Sequence, residues 1–196
     1  MVGLPGAGKT VRARELAAER GALLMSPDAW MISLFGQSQP DGKRDVLEGH
    51  LIALAIEALR LGTSVVLDFG LWGRDERSAL RWMAASAGAS CRVVYLSVDR
   101  EAQLSRVRGR WERTPEQTFP MTEAELDAWR RRFDVPDADE LSNAAPPSPP
   151  PGGGSWFDWA ARRWPSLRQS VEETTHRAMT ARRATSASAS VAPTSR

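Results

Sequence analysis

Residues 3–10 combine glycines, a lysine and a threonine in an order that suits phosphate binding. The segment fits the pattern G-x-x-x-x-G-K-[ST] at every fixed position. Its glycines let the backbone wrap so that successive N–H groups point at phosphate oxygens, while Lys9 reaches the β- and γ-phosphates and the Thr10 hydroxyl ligates Mg²⁺. A chance match is rare, because Lys9 and Lys43 are the only lysines in the chain. The segment therefore predicts a loop that binds ATP with Mg²⁺, formed by Gly3, Leu4, Pro5, Gly6, Ala7, Gly8, Lys9 and Thr10.

Two aspartates follow predicted strands and are candidates for the two sides of such a site. Asp68 ends the run 64–67, so it is either a Mg²⁺ ligand at a strand end or an ordinary turn residue. Asp28 follows the predicted strand at 22–25 and precedes a helix-forming segment. It is predicted either to cap that helix or to take a proton from an acceptor hydroxyl, and these roles are compatible. With Lys9, Asp28 is a candidate catalytic residue.

The predicted helix at 100–113 is rich in arginine. Arg106 and Arg110 share one face at i,i+4 spacing, and a guanidinium fork suits the charge on a phosphoryl group in transfer. We therefore predict that both are catalytic, the alternative being a solvated helix face. Arg77, which follows the loop after Asp68, either meets phosphate or pairs with a nearby acid, and the sequence leaves both open.

Strands alternate with helices in the predicted elements of residues 1–143. Strands are predicted at 22–25, 63–68 and 91–98, and helices at 11–20, 43–61, 74–87, 100–111 and 122–133. The last helix opens with Thr122 and Glu125 in capping-box spacing. This alternation predicts an α/β fold in which helices flank a parallel sheet. Only Met1 and Val2 precede Gly3, so we expect either a native start upstream or a domain without its first strand.

The composition changes at Ala144. Residues 144–154 read AAPPSPPPGGG and predict a linker, while residues 155–196 predict a mostly disordered basic tail with a short helix at 155–164. Trp156, Trp159 and Trp164 are spaced to share one face of that helix. Because the linker should decouple the tail from the sheet, we expect residues 144–196 to be dispensable for nucleotide binding.

Charge and composition narrow the functional classes. Residues 144–196 carry a net charge of +4, which leaves −2 for residues 1–143, so the predicted domain does not resemble a nucleic-acid binder. The basic tail keeps nucleic acid open as a partner. The chain has no apolar run of about 20 residues and no secretory signal, and Cys91 has no cysteine to pair with. We therefore expect a cytoplasmic protein without a membrane partner.

Together these residues resemble a known family, the P-loop kinase-like proteins with an AAA-type ATP-binding domain. Relatives include polynucleotide kinase, chloramphenicol phosphotransferase and zeta-toxin kinases. The resemblance rests on GLPGAGKT at 3–10, SPDAWM at 26–31, VVLDFGLWGRDER at 65–77 and RVRGRWER at 106–113. It implies a parallel sheet with a mobile arginine lid formed by residues 106–113. It further implies that Asp28 lies on the acceptor side and that Asp68 is the strand-end acid.

The expected activity follows from the loop and the resemblance. We expect an ATP-dependent kinase that moves the γ-phosphate to a hydroxyl of a small molecule or nucleotide. The alternative is a nucleotide-binding switch or NTPase without a dedicated acceptor, and a third reading is nucleic-acid binding through the basic tail.

Overall fold

The computed structural model describes residues 1–36, 41–152 and 154–169. These ranges contain two strands, eight α-helices and one 3₁₀ helix. In chain order they are α1 Lys9–Arg20, β1 Leu23–Met25, α2 Pro27–Phe35, α3 Lys43–Arg60, β2 Val65–Leu67, α4 Arg74–Ser86, α5 Arg100–Arg113, the 3₁₀ helix Pro115–Gln117, α6 Glu123–Arg132, α7 Ala138–Leu141 and α8 Trp156–Arg163. None of these helices is long and apolar enough to cross a bilayer.

The sheet is parallel, as predicted. Strands β1 and β2 pair in parallel, with Met25 opposite Leu67. Val2 forms isolated parallel bridges with Gly70 on one side and Tyr95 on the other. The backbone that leads into the phosphate loop therefore lies between the extension of β2 and the segment around Tyr95. The prediction of an α/β fold with a parallel sheet is confirmed.

The strand predicted at 91–98 does not form. Only Tyr95 is bridged there, and the backbone bonds are those of Val2 with Val94 and Leu96, at 2.9 and 3.0 Å. The ladder is this short because Gly3 already turns away, its N–H donating to Gly70 O at 3.3 Å. Residues 91–98 have the apolar composition of a strand, but they have no partner for a full ladder.

Helix α2 corrects a further expectation. Its N-cap is Ser26, in extended backbone, and Pro27 occupies the first helical position, where proline is favoured. Asp28 therefore lies in the first turn rather than at the N-cap. The predicted capping role of Asp28 is wrong, and its carboxylate is available for other contacts.

Residues 156–167 pack into the main core. Trp156, Trp164 and Leu167 are at most 2% exposed and belong to one cluster with residues of β1, α3 and α4. Gly49 of α3 permits this approach, because a Cβ there would overlap Ser166 Oγ. Arg163 adds ion pairs to α3 and α4 through Asp45 at 2.6 Å and Glu76 at 2.8 Å.

The expectation that the linker decouples everything after residue 143 is therefore contradicted for residues 156–167. The helix predicted at 155–164 corresponds to α8, and the linker joins the packing, since Trp156 Nε1 donates to Pro147 O at 2.7 Å. Proline and glycine prevent regular structure within a linker, but they do not prevent the chain from returning to the core. The disorder predicted for residues 170–196 lies outside the described residues.

Candidate nucleotide-binding site

The phosphate loop ends at an uncapped helix. Gly8 is the N-cap of α1 in a left-handed conformation, with φ 89° and ψ 11°, and no side chain bonds to the first turn. Helices α5, α6 and α8, in contrast, each begin with a side-chain cap, from Asp99, Thr122 and Ser155. The first N–H groups of α1 have no partner within the helix and form an anion site together with the positive end of its dipole.

Two glycines of the loop pack against neighbouring backbone. A Cβ on Gly3, which has φ 148°, would lie 2.5 Å from Leu96 O. A Cβ on Gly6, with φ 79°, would lie 3.3 Å from both Gln103 O and a Val107 methyl. Any side chain at these positions would push the loop away from α5 and from the segment beside Val2, so the glycines fix its position.

Lys9 is hydrogen-bonded to the first half of its own loop. Its ammonium donates to Leu4 O at 2.9 Å. Burial lowers the pKa of Lys9, the carboxylates of Asp68 and Asp28 oppose that shift, and the charge of Arg110 adds to it. The charges of two aspartates that are 40 residues apart in sequence therefore both act on the pKa of Lys9.

Thr10 and Asp68 are brought into direct contact. Thr10 Oγ1 donates to Asp68 Oδ2 at 2.7 Å, and Asp68 is 5% exposed at the carboxyl end of β2. Its other oxygen, Oδ1, is buried and has no hydrogen-bond partner among the described residues. A buried, unpartnered carboxylate oxygen beside a hydroxyl fits Mg²⁺ or its water shell.

The wider surroundings also fit Mg²⁺. The described part of the chain holds no group of three or more His, Cys, Asp or Glu that could enclose a metal ion. Magnesium is usually held by one or two protein ligands, waters and substrate phosphates, so the pair of Thr10 and Asp68 is a sufficient protein contribution.

Asp28 is held by an arginine that the sequence did not reveal. Its Oδ1 accepts from Arg44 Nη1 at 2.7 Å, while its side chain remains 58% exposed. Arg44 Nε also donates to Glu48 Oε1 at 2.9 Å. Four-residue spacing between Arg44 and Glu48 on a predicted helix was visible in the sequence, but their contact with α2 was not.

The predicted arginines are divided between different surroundings. Arg106 Nη1 donates to Gly6 O at 3.2 Å, so Arg106 lies at the phosphate loop. Arg110 Nη2 donates to Gln117 O at 3.1 Å, beyond the end of α5, although its charge also influences Lys9. The structure thus brings Arg106 into contact with the loop and ties Arg110 to the segment after its own helix.

Arg77 belongs to the frame of the fold. Its guanidinium forms a two-fold contact with Glu140 at 2.7 and 3.0 Å, and the two side chains are 1% and 2% exposed. The carbonyls of Leu71 and Trp72 accept from its Nη1 at 3.1 Å each. Of the two roles predicted for Arg77, pairing with an acid is correct and phosphate contact is not.

Comparison with known proteins places these features in one family. A family model of the AAA domain matches residues 1–136, a range that ends before α7 and α8. A search of curated proteins finds no match. Because the matched range covers more than half of the chain and encloses every predicted site residue, the chain belongs to the P-loop kinase-like AAA domain family.

Proposed function

We propose that this chain is an ATP-dependent phosphotransferase that moves the γ-phosphate of ATP to a hydroxyl of a small molecule or nucleotide. The supporting observation is that two carboxylates in different settings follow the paired strands β1 and β2, whose ends Met25 and Leu67 lie opposite each other. The charges of both also oppose the lowering of the Lys9 pKa. Asp68 is buried and bonded to Thr10, whereas Asp28 is exposed and reaches the site from α2. Kinases use an aspartate that accepts the proton of the substrate hydroxyl, whereas the switch GTPases orient water with a glutamine, so the exposed aspartate favours transfer to an acceptor.

The nucleotide side of the reaction uses the loop. The first N–H groups of α1 and the Lys9 ammonium bind the β- and γ-phosphates, and Arg106 adds positive charge beside Gly6. Thr10 and Asp68 would hold Mg²⁺, which would supply positive charge beside the phosphate oxygens.

Asp28 acts on the acceptor. Its carboxylate accepts the proton of the acceptor hydroxyl as that oxygen forms a bond to the γ-phosphorus. The bond between the γ-phosphorus and the β–γ bridging oxygen breaks, and ADP leaves. Arg44 holds Asp28 Oδ1, and the exposure of the Asp28 side chain leaves room for a hydroxyl at the same carboxylate.

Transfer of labelled γ-phosphate tests this proposal. The acceptors to screen are nucleosides, sugars, aminoglycosides, nucleotide sugars and oligonucleotides with a 5′-hydroxyl. We expect ADP release that depends on one class of acceptor. Release at the same rate with and without every acceptor would contradict transfer and favour the nucleotide switch.

Two isosteric variants separate the two carboxylates. Asp28→Asn keeps the shape but cannot take a proton, so we expect unchanged Mg·ATP affinity and transfer slower by about 10²- to 10⁴-fold. Asp68→Asn removes charge from the metal side, so we expect the Mg²⁺-dependent part of ATP binding to weaken as well. Calorimetry with and without Mg²⁺ gives the affinities. Transfer at the parent rate by Asp28→Asn would remove Asp28 from the mechanism.

A further inference from the structure

A line of hydrogen bonds runs from the C-terminal segment to the candidate site. Trp164 Nε1 donates to Glu48 Oε2 at 2.9 Å, and Glu48 Oε1 accepts from Arg44 Nε at 2.9 Å. Arg44 Nη1 then donates to Asp28 Oδ1 at 2.7 Å. We call these four residues the relay. Trp164 lies outside the range that the family model matches, and Asp28 lies inside it.

Exposure rises along the relay from the core to the site. Trp164 is fully buried, the side chains of Glu48 and Arg44 are 7% and 15% exposed, and that of Asp28 is 58% exposed. The buried end is fixed by close packing, whereas an exposed carboxylate on its own would sample several rotamers. The orientation of Asp28 is therefore set from the buried side.

Each link restrains the next through its chemistry. Glu48 uses one oxygen for Trp164 and the other for Arg44, so its carboxylate plane is defined by two donors. Burial raises the pKa of Glu48, and the Arg44 charge and the Trp164 N–H limit that rise because both stabilise the ionised carboxylate. The guanidinium is planar, so a bond that fixes Nε also fixes the direction of Nη1.

We propose that Trp164 is a positioning residue for Asp28, acting through Glu48 and Arg44 to hold the acceptor carboxylate in one orientation. The proposal rests on the function proposed above, in which Asp28 accepts the hydroxyl proton. In this arrangement a segment beyond the matched family range completes the acceptor side of the site.

Trp156 provides a matched control for Trp164. It lies on the same C-terminal segment, is 2% exposed, and also donates a buried indole N–H, but to Pro147 O at 2.7 Å. No hydrogen bond described for Trp156 leads to the relay. Replacement by phenylalanine removes one indole hydrogen bond and similar volume at either position, so both variants should lose similar stability.

The test compares Trp164→Phe with Trp156→Phe in three measurements: kcat for phosphate transfer, Kd for Mg·ATP, and the ¹H–¹⁵N signal of Arg44 Nε. For Trp164→Phe we expect kcat to fall about tenfold to a hundredfold, as for other small misplacements of a reacting group. We expect unchanged Kd, and an Arg44 Nε–H signal that shifts and exchanges faster with water. Trp156→Phe should leave all three near the parent values.

The outcomes separate the two proposals. An unchanged Arg44 signal in Trp164→Phe, or equal losses of kcat in both variants, would overturn the relay and leave phosphate transfer standing. If the parent protein transfers phosphate to no acceptor, the proposed function fails, while the Arg44 signal still decides whether Trp164 fixes Arg44.

A second variant covers the case in which Trp164→Phe does not fold. Glu48→Gln offers one acceptor oxygen where the relay needs two, so it breaks either the bond to Trp164 or the bond to Arg44. A fall in kcat with unchanged Kd would support the relay. Parent transfer rates with a parent Arg44 signal would overturn it.

Discussion

The phosphate loop and the C-terminal segment, residues 156–167, reach the same site by different kinds of interaction. The loop works through contiguous backbone, since residues 3–10 lead directly into the uncapped start of α1. The C-terminal segment works through side chains that are distant in sequence, as with Trp164 and Glu48, which are 116 residues apart. A loop that acts through contiguous backbone can be recognised from the spacing of its residues in the sequence. Packing between distant segments cannot, because the sequence shows only the composition of each segment.

Truncation is the most severe test of this comparison. Ending the chain after Asn143 removes Trp156, Trp164 and Leu167 from the core, and large buried side chains are each worth about 2–5 kcal/mol. Together these losses approach the net stability of an ordinary domain, which is about 5–15 kcal/mol. We expect no cooperative unfolding transition in urea. Ending the chain after Gln169 keeps these side chains and should keep the transition.

The outcome also bears on the linker. A stable, ATP-binding protein ending at Asn143 would restore the expectation that residues 144–196 are dispensable. It would also mean that the C-terminal segment packs on the core without being needed for its stability.

Removal of the loop lysine tests the other region. Lys9→Ala removes the lysine that is proposed to bind the phosphates, and hydrogen bonds to charged groups contribute about 1.5–3 kcal/mol. We expect ATP to bind about tenfold to a hundredfold more weakly, by calorimetry, with the unfolding transition retained. Lys43→Ala is the control, because the Lys43 ammonium instead lies 5.3 Å from the Phe35 ring centroid. Equal losses of affinity in both variants would contradict the specific role of Lys9.

Alanine substitutions at two helical glycines should change the stability in opposite directions. Gly49→Ala forces a methyl against Ser166 and to 3.0 Å from Leu167 N, so we expect the free energy of unfolding to fall by about 1–3 kcal/mol. Gly109→Ala meets only the flexible end of Arg113, at 3.1 Å, and should raise stability by up to about 1 kcal/mol. Urea denaturation measures both. A gain at Gly49 would show that residues 166–167 do not rest on α3.

The smallest effect concerns two helix caps, one at the start of the C-terminal segment and one within the range that the family model matches. Ser155 caps α8 and Thr122 caps α6, both within capping boxes. Replacement of either by alanine should lower stability by about 1 kcal/mol. If the C-terminal segment unfolds together with the core, both variants shift the same urea transition. A global transition that Ser155→Ala leaves unchanged would mean that α8 unfolds on its own.

The nucleotide side of the site could be predicted from the sequence because each piece is local. The loop pattern gave residues 3–10, and the end of an apolar run gave Asp68. Because parallel strands end at one edge of a sheet, the loop and Asp68 are expected to lie close together. The hydrogen bond between Thr10 and Asp68 agrees with this expectation. Arg106 was found through its i,i+4 spacing with Arg110 on an arginine-rich helix, and it contacts the loop.

The rest required knowledge of which surfaces meet. Arg44 is one charged residue among many in the sequence until α2 and α3 are placed side by side, and Arg77 could not be assigned before Glu140 was brought to it. Residues 91–98 had the composition of a strand, but a ladder depends on a partner. Proline and glycine at 144–154 predict a linker but do not indicate where the chain goes next.

The uncapped start of α1 has a thermodynamic consequence. Where Asp99 or Thr122 supplies an oxygen to its own helix, Gly8 supplies none, so an oxygen from solution must take that place. A phosphate oxygen bound in the loop would then take the place of a side-chain N-cap of α1. Nucleotide binding and folding are therefore linked, and at a hundred times its dissociation constant a ligand that binds only the folded chain adds about 2.7 kcal/mol to its stability. At such concentrations of ATP, part of the stability of the folded chain would come from the bound nucleotide.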